Sequence, residues 1–551
     1  MTLTPELLAR LDQANKLTDQ GRTEEAEALL RQLQGFAPAH ANLALLLEQK
    51  RDLLGALEQH RCAAALMPDN RLIQFNLATA LEHARRYQES EAAYRLALAL
   101  DPQFAEAWHN LGNCLQEQGR VEEADQAYRQ ALRLKPDFRA ARSSHLMNLH
   151  YLKDATPQAI HDTTKAYAAA LARQDKTSPA PPRADKTPLR IGLLCAYVRS
   201  HPLGSLAEAG LSALDHERFP LFFYVNEPGE DDCARSLRTH CKEWRQIGEL
   251  SDQAVAQQIE ADGIDILIDL AGHTRGHRLG VMALKPAPVQ MHWGVAYWNG
   301  LGMEAIDFLL TDRVEVPPDS SFPLSEAPLY LPHSFACYHP PDDAPPVSSL
   351  PMLEHGAPCF GSFNRLAKLN DGVLELWGRL MAAAPEGSRL FVQAHAFDDE
   401  SVRQRFLERL AAVGIASDQV ELVGALKHAD LLAAYAKVDV ALDCFPWSGS
   451  IITLEALLMG VPVVTCPHPS ITGRHSASFL SSLGETGWIA RDADSYIATA
   501  LDLVSDATRL AGIRSGLRDR LLASPVCNGA LFARNLESLL TKAWIEKIRP
   551  R

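Results

Sequence analysis

Ten cysteines are scattered through 551 residues with no CxxC pair and no metal-like cluster. Neither a disulfide framework nor a zinc module is therefore encoded, and a reducing, cytoplasmic compartment is expected. No apolar run approaches the roughly 18 residues that would span a membrane. The opening MTLTPELLARLDQ puts charges where a secretory segment keeps its apolar core. Positive charge is also short: 54 Lys and Arg stand against 68 Asp and Glu, a net charge of −14. That balance argues against a nucleic-acid partner, because phosphate backbones are gripped by clustered Lys and Arg. GxxxxGK[ST], HExxH and G-x-S-x-G are all missing, which leaves kinase-type and hydrolase chemistry without support. What is present, 47% hydrophobic and 22% charged residues, is ordinary globular composition. At this length about three to five domains are expected.

The first 150 residues repeat. Prolines at 38, 68, 102 and 136 are 30, 34 and 34 residues apart, and Asn42, Asn76 and Asn110, each followed by Leu, recur every 34. The fullest copy carries Trp108, Leu111, Gly112, Ala124, Tyr128, Ala131 and Pro136. This is the pattern of tetratricopeptide repeats: small residues where paired helices cross, an aromatic between neighbours, and Pro ending the second helix. About four repeats are expected in 1–150, the first of them a degenerate cap. A last helix over 156–173 and the Pro-rich linker QDKTSPAPPRADKTP close the segment 151–188.

Beyond the linker, short apolar runs alternate with helical patterns. Strands are expected at 189–197, 220–226 and 264–272, then after a restart at 357–364, 389–396, 419–426, 438–443 and 461–466. Alternation of this kind reads as parallel sheets covered on both faces, with ligands at strand ends. The expected fold is thus an α-solenoid followed by two Rossmann-like α/β domains, 189–345 and 346–525. A terminal helix in 526–551 is expected to pack back on an earlier domain.

Three stretches carry chemistry. In DCFPWSGSIITLEALLMGVPVVTC (443–466) a strand, a turn and a helix start follow one another. Open amides at such a start, with the helix dipole behind them, suit a nucleotide's phosphates, and Glu455 can receive ribose hydroxyls. The plainer alternative is an ordinary strand–turn–helix connection with an exposed glutamate. GSFNRLAKLND (361–371) sets Arg365 and Lys368 three residues apart, able to share one side of a short helix. A lysine there suits a departing pyrophosphate, although two solvated surface cations fit as well. VRSHPLGSL (198–206) offers His201 on a loop as base or acceptor-positioning group, and AGHTRGHR (271–278) offers His273 and Thr274. Asp492 and Asp494 form a DxD, but ahead of a helix pattern they read as a helix cap.

Taken together, LKPAPVQMHWG (284–294), IDFLLTD (306–312), GSFNRLAK (361–368), EALLMGVPVVT (455–465) and SPVCNGALFARNLE (524–537) resemble glycosyltransferase family 41, the protein O-N-acetylglucosamine transferases, including SPINDLY-type enzymes. The resemblance spans nearly the whole chain. It implies a GT-B-type pair of Rossmann-like halves and an inverting transferase that needs no metal or other cofactor. UDP-GlcNAc would be the donor and UDP the product. By motif match, Lys368 would neutralise the leaving diphosphate, with Asn364 and Arg365 beside it. Ala425 and Lys427 would lie near the base and phosphates. Gly449, Ser450, Ile451 and Ile452 would present phosphate-binding amides, and Glu455 would hold the ribose. His201 would flank the reaction centre, with His273, Thr274 and Tyr297 toward acceptor or sugar.

The sequence also departs from the family pattern. N-G-x-T-T reads Ser448–Gly449–Ser450–Ile451–Ile452, so two threonine hydroxyls are absent; Glu-His after A-P-K reads Ala429–Asp430, leaving His428 to replace the base-stacking histidine. The Y-P-G-T-T-G loop reads Ala296–Tyr297–Trp298–Asn299–Gly300–Leu301. A GDP-fucose donor, or a repeat scaffold with an impaired transferase half, stay open on these grounds. The asparagine ladder of Asn42, Asn76 and Asn110 is expected either to grip polypeptide backbones along the concave face or to bond helix to helix. Polypeptides and a nucleotide sugar are the expected partners, with oligomers through the array.

Overall fold

A computed structural model of the chain describes residues 5–33, 35–171, 187–199, 202–229, 231–294 and 300–548. Ten antiparallel helices open it: α1 (Pro5–Asp19), α2 (Thr23–Arg31), α3 (Ala37–Gln49), α4 (Leu53–Leu66), α5 (Arg71–His83), α6 (Tyr87–Leu100), α7 (Ala105–Glu117), α8 (Val121–Leu134), α9 (Arg139–Leu149) and α10 (Pro157–Leu171). The repeat signature works as its spacing requires. A Cβ on Gly112 would stand 2.5 Å from the Tyr128 ring, so only glycine lets α7 and α8 close on that aromatic.

The first α/β unit alternates β1 (Ile191–Cys195), α11 (Pro202–Ser212), β2 (Leu221–Val225), α12 (Asp232–Thr239), β3 (Cys241–Gln246), α13 (Asp252–Ala261), β4 (Ile266–Asp269), α14 (Leu279–Ala283), β5 (Val289–Trp293), β6 (Phe308–Asp312) and β7 (Ala327–Leu331). Its sheet is parallel, in the order β3-β2-β1-β4-β5-β6-β7. The second unit runs α15 (Met352–His355), β8 (Cys359–Ser362), α16 (Asp371–Ala383), β9 (Arg389–Gln393), α17 (Glu400–Ala412), β10 (Val420–Val423), α18 (His428–Ala434), β11 (Val440–Leu442), α19 (Ile451–Leu458), β12 (Val463–Val464), α20 (His475–Leu483), α21 (Ala493–Ser505) and α22 (Ala507–Ala523), with strand order β10-β9-β8-β11-β12. Inner strands such as IGLLC and LFFYV are buried throughout because helices cover both faces. Edge strands β3 and β10 are half-exposed and carry charges, which discourages further pairing.

The last helix, α23 (Gly529–Ile548), crosses back onto the first unit, where Phe532 stacks on Trp293 with centroids 5.6 Å apart and Lys547 pairs with Asp307 at 2.9 Å. Asp492 caps α21, accepting the Ser495 amide at 2.8 Å. No helix among the described residues is long and apolar enough to cross a membrane.

Candidate active site

Strand order fixes where ligands can bind. In the second unit the order reverses between β8 and β11, so the loops after those two strands diverge and leave a crevice at their carboxyl ends. These are the two loops that carry Asn364–Lys368 and Asp443–Ser450. In the first unit the reversal lies between β1 and β4, whose following loops carry His201 and His273. His201 and Tyr297 themselves lie outside the described residues.

Lys368 ends a single 3-10 turn (Leu366–Lys368) and donates Nζ to the Ser448 carbonyl at 2.7 Å, bridging the two loops of the crevice. Its ammonium lies 5.5 Å from the centre of the Trp447 ring. Trp447 stacks on Tyr151 of the repeat segment at 4.9 Å. Burial lowers the Lys368 pKa from its ordinary value, so an arriving diphosphate would meet a cation that gains from being neutralised. Asn364 is buried, and its Oδ1 has no hydrogen-bond partner among the described residues.

The helix start is built as expected, with one correction. Ser450 caps α19, and the amides of Ser450, Ile451 and Ile452 make no hydrogen bond among the described residues. The Gly449 amide is not open: it donates to Asp443 Oδ1 at 2.6 Å, because Asp443, also held by Thr465 at 2.6 Å, directly follows β11 at the base of the turn. Gly449 serves by its smallness, since a Cβ there would stand 2.3 Å from Thr453 Oγ1. Glu455 is buried rather than an exposed surface glutamate, and it accepts His428 Nε2 at 2.7 Å. That carboxylate raises the His428 pKa above its usual value. His428 thus reaches over α19, while Asp430 is exposed.

Arg365 does not share a face with Lys368. It turns away to pair with Glu117 at the end of α7, which raises its pKa and ties the loop to the repeats. Ala425 is half-buried with its amide given to Asp398 at 2.9 Å; Lys427 is exposed and precedes α18. Asp398 also receives Arg85 of the array at 2.9 Å.

A cleft of about 810 Å³ opens between α5, α7 and α9 and the loop after β4. Asn110, Asn113, Gln116, Ser143, His273, Thr274 and Arg365 are among its walls. His273 is buried with its ring edge-on to Tyr167 at 4.9 Å, and Thr274 Oγ1 donates to the Ala271 carbonyl at 2.8 Å. Asn42, Asn76 and Asn110 are all half-buried on α3, α5 and α7. Asn42 bonds Asn15 of α1 at 2.7 Å, a neighbour that the 34-residue period hides because the first repeat spacing is 27.

The chain matches the model of glycosyl transferase family 41 over residues 167–339 and 349–536, and tetratricopeptide-repeat models over 73–104 and 105–138. It belongs to family 41. Among curated family relatives, a Solanum lycopersicum protein named as a probable UDP-N-acetylglucosamine–peptide N-acetylglucosaminyltransferase SPINDLY is 34% identical over 413 residues, covering 74% of this chain and 44% of that protein. The Arabidopsis thaliana protein of the same name is 37% identical over 364 residues, 65% of this chain and 39% of its own. The chain therefore spans less than half the length of these relatives. A solved structure of a Thermobaculum terrenum O-GlcNAc transferase mutant superposes with a TM-score of 0.86 at 33% identity, covering 93% of this chain and 98% of that one. The solenoid followed by two Rossmann-like units is thus a family 41 architecture.

Proposed function

We propose that this family 41 member transfers N-acetylglucosamine from UDP-GlcNAc to Ser or Thr hydroxyls of polypeptides held along the repeats. The observation that carries the reading is the crevice at the β8/β11 reversal. There Lys368, half-buried and bonded to the Ser448 carbonyl, and the start of α19 with its three open amides stand on the two loops that flank the crevice, where a sugar diphosphate would sit. Fixed positive charge at that place stabilises the charge growing on the leaving oxygen, which makes a metal unnecessary. The acceptor hydroxyl attacks the anomeric carbon from the side opposite the diphosphate, so configuration inverts. Glu455, held by His428, accepts from the ribose hydroxyls, and the unpaired Oδ1 of Asn364 accepts from a hydroxyl of the donor rather than from its phosphates. The cleft under α5, α7 and α9 leads a polypeptide to this centre, its carboxamides reading backbone rather than side chains.

The test is incubation with UDP-GlcNAc and a Ser/Thr peptide library in the presence of a chelator, read by mass spectrometry. Addition of one N-acetylhexosamine to a hydroxyl residue supports the reading. Modification only from GDP-fucose keeps the enzyme class and replaces the donor, and the exposed Asp430 in place of a base-stacking histidine is the feature that favours that second donor. No transfer from either leaves a nucleotide-binding repeat scaffold.

A further inference from the structure

The two groups that hold the Lys368 ammonium are neighbours in sequence, and both lean on the repeat segment. The Ser448 carbonyl accepts Nζ at 2.7 Å, and the centre of the Trp447 ring stands 5.5 Å from it. Both partners are neutral, so they fix the ammonium without cancelling its charge. Directly after α9 come His150 and Tyr151, both buried. Tyr151 stacks on Trp447 with planes 17° apart and centroids 4.9 Å apart, while His150 meets the same indole in a T-shaped contact at 5.5 Å. His150 also reaches Ser448 through one residue. Its Nδ1 lies 3.4 Å from Thr472 Oγ1, and the Thr472 carbonyl accepts the Ser448 amide at 3.1 Å and the Ser448 hydroxyl at 3.0 Å. Ala367, next to Lys368, joins Val121 of α8, Tyr151 and Trp447 in one apolar cluster.

A lysine side chain turns about several bonds, and stopping them at the moment of binding costs affinity. A ring face and a carbonyl that stop them beforehand remove part of that cost. The indole can do so only while its own plane is fixed. Within the second unit the Cys444 thiol donates to the Trp447 carbonyl at 3.1 Å, which holds backbone rather than ring. Among the described residues, the aromatic partners of that ring are His150 and Tyr151, both from the repeat side.

We propose that Tyr151, acting through Trp447, is a positioning residue for the donor, so that the repeat segment completes the nucleotide-sugar site. The proposal rests on the donor reading above. Tyr151 sets the plane of the indole, the indole face and the Ser448 carbonyl aim the ammonium, and the ammonium meets the diphosphate. The tyrosine acts without touching the donor.

Calorimetric titration of UDP, and of GDP where it binds more tightly, compares wild type, Tyr151→Leu, Lys368→Ala and the double variant. Tyr151→Leu keeps an apolar side chain in the cluster and removes the ring. It is expected to weaken nucleotide binding about five-fold or more, the scale of a partly desolvated cation–ring contact. In the Lys368→Ala background the same substitution is expected to change binding by less than about two-fold, because no ammonium is left to aim. Tyr151→Phe, which keeps the ring, is expected to stay within about two-fold of wild type. A merely structural Tyr151 predicts equal losses in both backgrounds. That result, or wild-type affinity in Tyr151→Leu, overturns the proposal. Should Tyr151→Leu fail to fold, Trp447→Leu, which removes the indole face itself, is read by the same cycle. Wild-type protein that binds neither nucleotide, or that binds equally well without Lys368, contradicts the donor reading itself, and this proposal with it.

Discussion

Lys368 holds its ammonium against a carbonyl, a neutral acceptor that a charged diphosphate outcompetes. Replacing it by Ala should leave folding intact, because one bond to Ser448 is lost at a half-buried site. Turnover should fall about 10²- to 10³-fold, as when one preorganised charge or donor is removed from a reacting oxygen. Full turnover in Lys368→Ala would remove the leaving-group role. Gly449 gives a second residue-scale prediction. A methyl group there meets Thr453 Oγ1 at 2.3 Å, so Gly449→Ala should cost about 1–3 kcal/mol of stability in urea unfolding. UDP affinity should weaken with it, since the turn sets the aim of the three open amides. Unchanged stability and affinity would show that the turn has room to spare.

At the scale of elements, the two units meet where the turn after β6 packs on α20. Glu315 is buried there between Thr311, at 2.6 Å, and His475, at 2.7 Å, and burial raises its pKa to about 8 while lowering that of His475 to about 3. At neutral pH burial therefore favours the uncharged form of both groups. The signs follow from linkage. Glu315 binds more protons folded than unfolded, so its contribution is full below about pH 4.5 and lost as pH rises to about 8. His475 binds fewer protons folded, so its contribution is present above about pH 6.5 and lost toward pH 3. Melting temperature should decline from neutral toward alkaline pH, and Glu315→Gln should flatten that decline in a calorimetric series. An identical slope in the variant would put the titration elsewhere.

The sequence showed some of these elements better than others. All five strands of the second unit were readable, because strands buried on both faces are continuous apolar runs. In the first unit β3 (Cys241–Gln246) was missed, since CKEWRQ is a half-exposed edge strand whose pattern is polar. β5 and β6 lay inside stretches read only as family motifs, and β7 (Ala327–Leu331) was missed as a part-exposed edge strand that carries a proline. The turn before Lys368 and the start of α19, with Ser450 and Glu455, were legible as strand ends running into helical segments, whereas their roles toward a donor came from the family resemblance. Partners distant in sequence were not: nothing near Arg365 points to Glu117, and nothing near Gly449 distinguishes an open amide from one taken by Asp443.

On the scale of the whole molecule, the repeats are docked on the second unit through Arg365–Glu117, Arg85–Asp398, and Arg405 donating to Gln118 at 2.8 Å, and on the first through His277 and Ser143, 3.1 Å apart. Gly119 lies so close that a Cβ would stand 3.1 Å from the Leu366 carbonyl. The array therefore abuts the lysine loop. Because the Arg365–Glu117 pair is half-exposed, Glu117→Gln should cost no more than about 1 kcal/mol of stability. It should nonetheless raise KM for peptide acceptors, since both residues line the cleft, while leaving UDP affinity unchanged. Equal loss of both affinities would mean that the pair supports the donor loop instead.

The central claim is that the crevice at the β8/β11 reversal binds the donor nucleotide. Calorimetric titration of UDP and of GDP into the wild-type protein and Lys368→Ala, without metal, tests it most directly. The account predicts that UDP binds in preference to GDP and that the substitution weakens binding about ten-fold or more, the loss of a charge-assisted contact. Tighter GDP binding that still depends on Lys368 would keep the site and change the donor. Absence of binding by either nucleotide at millimolar concentration, or equal binding to both proteins, would contradict it.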